Sequence, residues 1–228
     1  MAEFDQFATD YRGQLRKGLD MTGESPDYFA ARRVEVVASF CLREPRVVLD
    51  FGCGTGGSLA LLRKQFPQAR IMGFDPSQES LEMARRNPDL KGLELINSLE
   101  GLDRCVDLVF CNGVFHHIDP VQRGEALSGI RRAMSSNGRF AFWENNPWNP
   151  GTRLVMSRIP FDRDAKTLSV LNSRRLLRAN GFRIIRTEHH FWFPKMLSML
   201  RFLEPALIHV PLAGQYLVVC EKDDVATG

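Results

Sequence analysis

Short apolar runs alternate with amphipathic ones along most of this chain. Residues 47–50 (V-V-L-D) form an apolar run that closes on a carboxylate, as a buried parallel strand does at its C-terminal edge. An apolar, helix-favouring run follows at 59–66, and a second strand is predicted over 70–75 (R-I-M-G-F-D). Pro76-Ser77 opens a helix over 79–86, and a short strand follows at 93–97. Next come a fourth strand over 105–112, a helix over 121–134, and a fifth strand over 139–144 after the turn Ser136-Asn137-Gly138. A helix over 170–180 is closed by Gly181 as a C-cap glycine, with strands at 182–189 and 215–221. This alternation predicts an α/β fold with a doubly wound sheet.

Two segments lie outside the alternation. Phe4, Phe7 and Tyr11 fall at i, i+3 and i+7, and Tyr28, Phe29, Val34, Val37 and Phe40 continue a helical stripe. Near the other end, Met196, Leu200, Leu203 and Leu207 make one apolar helix face after Phe191-Trp192-Phe193-Pro194. That face suits either a core position or the lid of an apolar pocket, and core packing is the default expectation.

The candidate chemistry begins at the turn after the first strand, which reads D-F-G-C-G-T-G-G from Asp50 to Gly57. Strand, glycine turn and helix open a nucleotide-binding βαβ unit, in which glycines let the backbone approach a ligand and the helix start offers free N–H groups. Asp75, at the end of the next strand, lies 21 positions beyond Gly54, the separation suited to a carboxylate that accepts ribose hydroxyls. Nicotinamide or flavin enzymes share that geometry, and Gly57 satisfies their fingerprint. Asp50 argues against them: a carboxylate there would repel a pyrophosphate but suits the cationic amino group of a methionine moiety. No Tyr-x-x-x-Lys hydride-site pair is visible either.

On these residues the chain resembles the class I S-adenosylmethionine (SAM)-dependent methyltransferases of small molecules, whose first motif has the form hydrophobic strand, D-x-G-x-G-x-G. The resemblance covers most of residues 40–145 with specific motifs and the rest as a pattern. It implies a Rossmann-like, mostly parallel sheet of seven strands, the last antiparallel, with helices on both faces. It also implies SAM as cofactor, bound by Asp50, Gly52, Cys53, Gly54 and Asp75, with Asn112 near the methionine end. One departure stands out: the family usually has an acidic residue after the third strand, at the adenine, where this chain has Asn97-Ser98. Ser98 is the expected adenine contact, since a hydroxyl can hydrogen-bond the base. Leading helices in such enzymes fold over the cofactor, so residues 1–44 are expected to cap the active site and 45–228 to form the methyltransferase unit.

Composition adds limits. At 228 residues and 44% hydrophobic the chain can bury one good core. Its five cysteines are scattered without C-x-x-C or zinc spacing, which suggests reduced thiols and a cytoplasmic setting. The start of the chain is polar and acidic, unlike a signal peptide, and no apolar stretch reaches the length of a membrane span. The net charge of +3 is carried by residues 151–228, where Arg174, Arg175, Arg178, Arg183 and Arg186 read as the solvated faces of one helix and one strand. No aromatics interleave with them, so nucleic acid is not an expected partner.

Methyl transfer from a sulfonium is an in-line displacement, so the enzyme must align the acceptor and, for hydroxyls, remove a proton. His116, His117 and Glu144, at the ends of the fourth and fifth strands, are the catalytic candidates, with histidine packing under the strand as the bland alternative. A metal is not expected, because H-H-x-D lacks a third ligand set in the sequence. Asn145-Asn146-Pro147-Trp148 is similar to the N-P-P-[YFW] motif of amino-methylating DNA enzymes, but it follows the fifth strand and lacks the second proline. It reads as a polar loop over the site, which makes Asn145, Asn146 and Trp148, together with Tyr11, the expected substrate contacts. The expected partner is a small, apolar or lipid-like methyl acceptor, with a peripheral membrane-surface contact open and the oligomeric state undetermined. A SAM-binding scaffold without turnover is the alternative.

Overall fold

The computed structural model describes residues 11–163 and 165–223, and of Tyr11 and Arg12 only the backbone. The expectations on Phe4, Phe7 and the Tyr11 side chain therefore lie outside the described residues. Seven strands form one sheet: β1 Val47–Phe51, β2 Arg70–Phe74, β3 Glu94–Ile96, β4 Val106–Asn112, β5 Met134–Asn145, β6 Phe182–His190 and β7 Gln215–Lys222. They are ordered β3-β2-β1-β4-β5-β7-β6. β7 runs antiparallel to both neighbours, and the other pairings are parallel. The sheet expected from the sequence is the sheet found.

Both faces of the sheet are covered, as parallel strands require. Side chains alternate along each strand: Leu49 and Phe51 of β1 join one core, while Val48 joins the other. The first core packs β1, β4, β5 and β7 against α5 (Arg123–Ala133) and α7 (Val170–Ala179) through Leu127, Ile130 and Leu177. The second packs Phe110, Trp143 and Leu217 against α2 (Pro26–Ser39), α3 (Leu59–Gln65) and α4 (Gln78–Arg86). Val34 and Val37 of α2 are buried there, so the leading helical segment shares the core of the sheet. It begins with α1 (Tyr11–Leu19).

Local signals explain most boundaries. Ser25, Ser77 and Ser169 cap α2, α4 and α7 by accepting from the backbone N–H three residues on. Two expectations need correction. The turn signal at Ser136-Asn137-Gly138 lies inside β5, which begins at Met134; the pairing with β4 shifts register between Val106 and Leu108 and absorbs it. The Met196–Leu207 stripe is not core: Lys195–Leu203 is a kinked 3₁₀ segment and Glu204–Leu207 (α8) one helical turn, and neither has a buried residue. A 3₁₀ helix has three residues per turn, so a stripe spaced for 3.6 does not stay on one side. Among the described residues no helix is long and apolar enough to cross a membrane.

The strand order reverses between β1 and β4, leaving a crevice at their C-terminal ends. Gly52 turns the chain into that crevice at φ +76°, and a Cβ there would stand 2.4 Å from Val114 Cγ2. Gly52→Ala is expected to lower unfolding stability by about 2 kcal/mol, from the left-handed backbone and the clash together, as read by urea denaturation.

Candidate active site

The turn after β1 is tied to the end of β2. The N–H groups of Gly52 and Cys53 both donate to the Phe74 carbonyl, at 2.8 and 2.9 Å. Asp75 follows directly, and its carboxylate accepts from Gly54 N at 2.8 Å and from Ser77 N at 2.9 Å. One acidic side chain thereby fixes the glycine turn and the start of α4 at the mouth of the crevice. Asp50 is buried beneath them; burial and then the nearby charge of Asp75 push its carboxyl up to about 8. The same burial and the two acids hold Cys53 as a neutral thiol. A Cβ on Gly54, at φ +52°, would meet nothing within 4 Å, so the turn opens onto free space.

Beside the crevice, at the end of β4, Asn112 and Gly113 line a cavity of about 460 Å³. Its walls come from α1 and α2, from α6 (Pro150–Arg158), from the 3₁₀ turn Pro160–Asp162 and from residues 191–194. Apolar side chains such as Leu15, Phe29, Met156 and Phe191 dominate it. A polar chain crosses one wall: Arg33 Nε donates to Gln215 Oε1 at 2.8 Å, and Gln215 Nε2 donates to Asn145 Oδ1 at 2.8 Å. The Arg33 guanidinium also lies over the Phe191 ring, 5.6 Å from its centroid.

At the inner end of the cavity stand two imidazoles and two carboxylates. His116, 3% exposed, donates from Nδ1 to Glu144 Oε2 at 2.5 Å, and the other Glu144 oxygen accepts from Phe115 N at 2.8 Å. His116 Nε2 lies 3.5 Å from Asp162 Oδ1, and His117 Nε2 lies 3.2 Å from the same oxygen. Burial opposes a charge on His116, but Glu144 and Asp162 outweigh it and push the imidazole up to about 10. For His117 burial wins, and its imidazole falls below the ordinary range. Asp162 is held below the usual carboxylate range: burial works against this, and contacts with the two imidazoles prevail.

The candidates therefore divide into groups. Asp50, Gly52, Cys53, Gly54 and Asp75 meet at the crevice, and Asn112 lines the cavity. Ser98 is exposed beyond β3, its hydroxyl accepting from Glu100 N at 3.2 Å. His116 and His117 line the cavity, and Glu144 is buried behind them. Asn145 lines the cavity too. Asn146 is turned into the protein, where its amide donates to the carbonyls of Pro211 and Ala213 at 3.0 and 2.9 Å. Trp148 is 43% exposed, outside the cavity lining.

Asp162 is the residue that sequence reasoning missed. It lies 45 or more positions beyond the histidines, in a proline-started 3₁₀ turn that follows an unexpected helix. That helix had a signal: Asn149 caps it by accepting from Thr152 N at 2.8 Å, and Pro150 is its first residue. The third partner absent from H-H-x-D is present in space, since ligand atoms of His116, His117 and Asp162 lie within 4.8 Å of one another.

Residues 48–138 match the methyltransferase domain family, and the fold is that of the class I, Rossmann-like methyltransferases, whose cofactor is S-adenosylmethionine. Among relatives, the chain is 30% identical over 142 residues to the malonyl-[acyl-carrier protein] O-methyltransferase of Halalkalibacterium halodurans, covering 58% of this chain and 49% of that protein. It is 29% identical over 142 residues to the trans-aconitate 2-methyltransferase of Escherichia coli O1:K1, covering 60% and 56%. The chain thus spans about half the length of the curated relatives it matches. A SAM-dependent methyltransferase from Archaeoglobus fulgidus shares the fold with a TM-score of 0.66 at 18% identity, over 87% of this chain and 95% of that one. The crevice fits the cofactor: its glycine turn opens onto free space, and the buried Asp50 carboxyl, raised for want of a positive neighbour, suits a cationic group.

The buried pair at the inner end is also structural. Glu144→Ala would strip His116 and Phe115 N of their partner, and we expect a stability loss of about 3 kcal/mol, measured by urea denaturation. A loss below about 1 kcal/mol would show that the pair is not holding the β4 and β5 ends together.

Proposed function

We propose that the chain is a SAM-dependent methyltransferase acting on a small, largely apolar molecule held in the 460 Å³ cavity. The observation that carries this reading is that Asn112 and Gly113, at the end of the strand paired with β1, line the same cavity as His116 and His117, while Asp50 and Asp75 stand at the neighbouring ends of β1 and β2. When bound, the cofactor supplies an electrophilic methyl group on a sulfonium. Asp75 accepts from its ribose hydroxyls, Asp50 faces its ammonium, and the Gly52-Cys53-Gly54 backbone lies along its methionine part. Asn112 positions the methionine end, and Ser98 is the adenine contact.

Residues 1–44 act as the cap, and 45–228 as the methyltransferase unit. Leu15, Leu19 and Phe29 on α1 and α2 exclude water from the acceptor, which favours an in-line displacement that disperses the sulfonium charge. Asn145, held by Gln215, offers the acceptor a fixed polar contact. Of the cluster of His116, His117 and Glu144, the neutral His117 receives the acceptor's proton where one must leave, and the His116–Glu144 pair sets its surroundings. The names of the two relatives, an acyl-carrier-protein O-methyltransferase and a trans-aconitate methyltransferase, agree with a small-molecule acceptor.

Calorimetric titration tests the cofactor assignment. SAM and S-adenosylhomocysteine should both bind, NADH should not, and Asp75→Ala should weaken both by about tenfold or more through loss of the ribose contacts. Binding of NADH alone would contradict the reading.

The Asp50 carboxyl gives a pH test. Raised to about 8, it holds a proton in the empty site at neutral pH, and a cation placed beside it favours the charged form. Binding should therefore expel a proton, and SAM affinity should rise with pH and level off above about 8. Titrations at pH 7 in buffers of different ionisation enthalpy read this directly. Equal heats in all buffers would mean that Asp50 does not sense the cofactor.

A further inference from the structure

We infer that His116, His117 and Asp162 form a binding site for a divalent first-row transition cation at the inner end of the acceptor cavity. The proposal rests on that cavity being the acceptor site. The donor set is two imidazole nitrogens and one carboxylate oxygen, a combination that suits zinc, iron or manganese. The atoms converge: both Nε2 atoms approach the single oxygen Oδ1 of Asp162, at 3.5 and 3.2 Å. Charge-assisted hydrogen bonds between a buried imidazolium and a carboxylate run shorter, at about 2.7–2.9 Å. Ligands that share one cation at about 2.1 Å stand about 3.0–3.5 Å apart, the spacing of each imidazole nitrogen from the Asp162 oxygen, and all three atoms lie within 4.8 Å of one another.

The surroundings complete the pattern of a metal centre. His116 presents Nε2 to the centre while its Nδ1 donates to Glu144 at 2.5 Å, the arrangement in which a second carboxylate fixes a metal-bound histidine. Glu144 in turn is anchored by Phe115 N, so the orientation is set before any ion arrives. The charge count agrees. Glu144 and Asp162 are 1% and 8% exposed, and among the described residues no Lys or Arg pairs with either. Arg123 acts on Glu144 only at longer range, its own guanidinium donating to the Ile118 and Lys166 carbonyls. Two buried negative charges outnumber the one positive charge that His116 can carry between them, whereas a divalent cation balances both.

His116, His117 and Asp162 all line the cavity, so the remaining coordination positions face the acceptor. A cation there would bind an oxygen of the acceptor and lower its pKa, which places the acceptor's reactive atom near Asn112 and Gly113. The class of acceptor that follows is an apolar molecule carrying a hydroxyl, an enolisable carbonyl or a carboxylate.

The test uses the full chain, stripped with chelator and reloaded with Zn²⁺ or Co²⁺. Elemental analysis after removal of free ion should find about one equivalent per chain. Asp162→Ala and His117→Ala should each lower the retained metal at least tenfold, and Glu144→Gln should weaken binding by about 10–100-fold. The Co²⁺ protein should show d–d absorption bands that are lost in Asp162→Ala. If a variant fails to fold, the wild-type Co²⁺ spectrum and stoichiometry still decide. Retention below a tenth of an equivalent in the wild type, or equal retention in wild type and variants, overturns the site. SAM binding on the same stripped and loaded samples separates the two readings: cofactor binding without metal refutes the cation site alone, and metal without cofactor refutes the methyltransferase reading alone.

Discussion

A parallel sheet must bury both of its faces, and that requirement organises everything else in this protein. Helices α2, α3 and α4 cover one face and α5 and α7 the other, so the strands are closed to ligands along their length. Only the strand ends remain for chemistry. Because the order reverses between β1 and β4, the helices that follow these two strands leave in opposite directions and open a crevice. Asp50, Asp75, Asn112 and Glu144 all stand at strand ends around it for this one topological reason.

The chemistry of that edge is set by buried acids. Asp50, Asp75, Glu144 and Asp162 are each no more than 9% exposed, and burying carboxylates is costly unless something positive or a hydrogen-bond donor meets them. Asp75 is met by two backbone N–H groups, Glu144 by Phe115 N and His116, and Asp162 by both imidazoles. Asp50 is met least, and its carboxyl rises accordingly. Such an edge selects for cations: a sulfonium cofactor with an ammonium group on one side, and an imidazolium or a metal ion on the other. The apolar cavity beyond it gives a low-dielectric setting in which those charges act strongly.

The two halves of the site differed in how far they could be read from the sequence. The crevice half is contiguous: Asp50 and the glycine turn follow one another, and Asp75 comes directly after the very next strand, so local pattern and spacing bring them together. The strands were legible for the same reason, because apolar runs ending in Asp or Asn report burial directly. The acceptor half is assembled from distant pieces. Asp162 reaches His116 only through the α6 excursion, and Arg33 meets Gln215 across 182 positions, a pairing that no local pattern encodes. The Asn145-Asn146 pair shows the limit within a single motif. Two adjacent amides looked equivalent in sequence, yet Asn145 ends β5 at the cavity while Asn146, just past the strand, turns into the Pro211–Ala213 loop. The Met196–Leu207 stripe failed for a different reason, since its helical spacing had no 3.6-residue helix to act on.

Under the proposed function, the Asp50–Asp75 crevice holds the cofactor with its methyl group turned toward the cavity, past Asn112 and Gly113. A crystal structure with S-adenosylhomocysteine tests this most directly. The ribose hydroxyls should lie on the Asp75 carboxylate, with the sulfur beside Gly113 facing His116 and His117. A ligand bound elsewhere, or one whose sulfur points away from the cavity, would contradict the account.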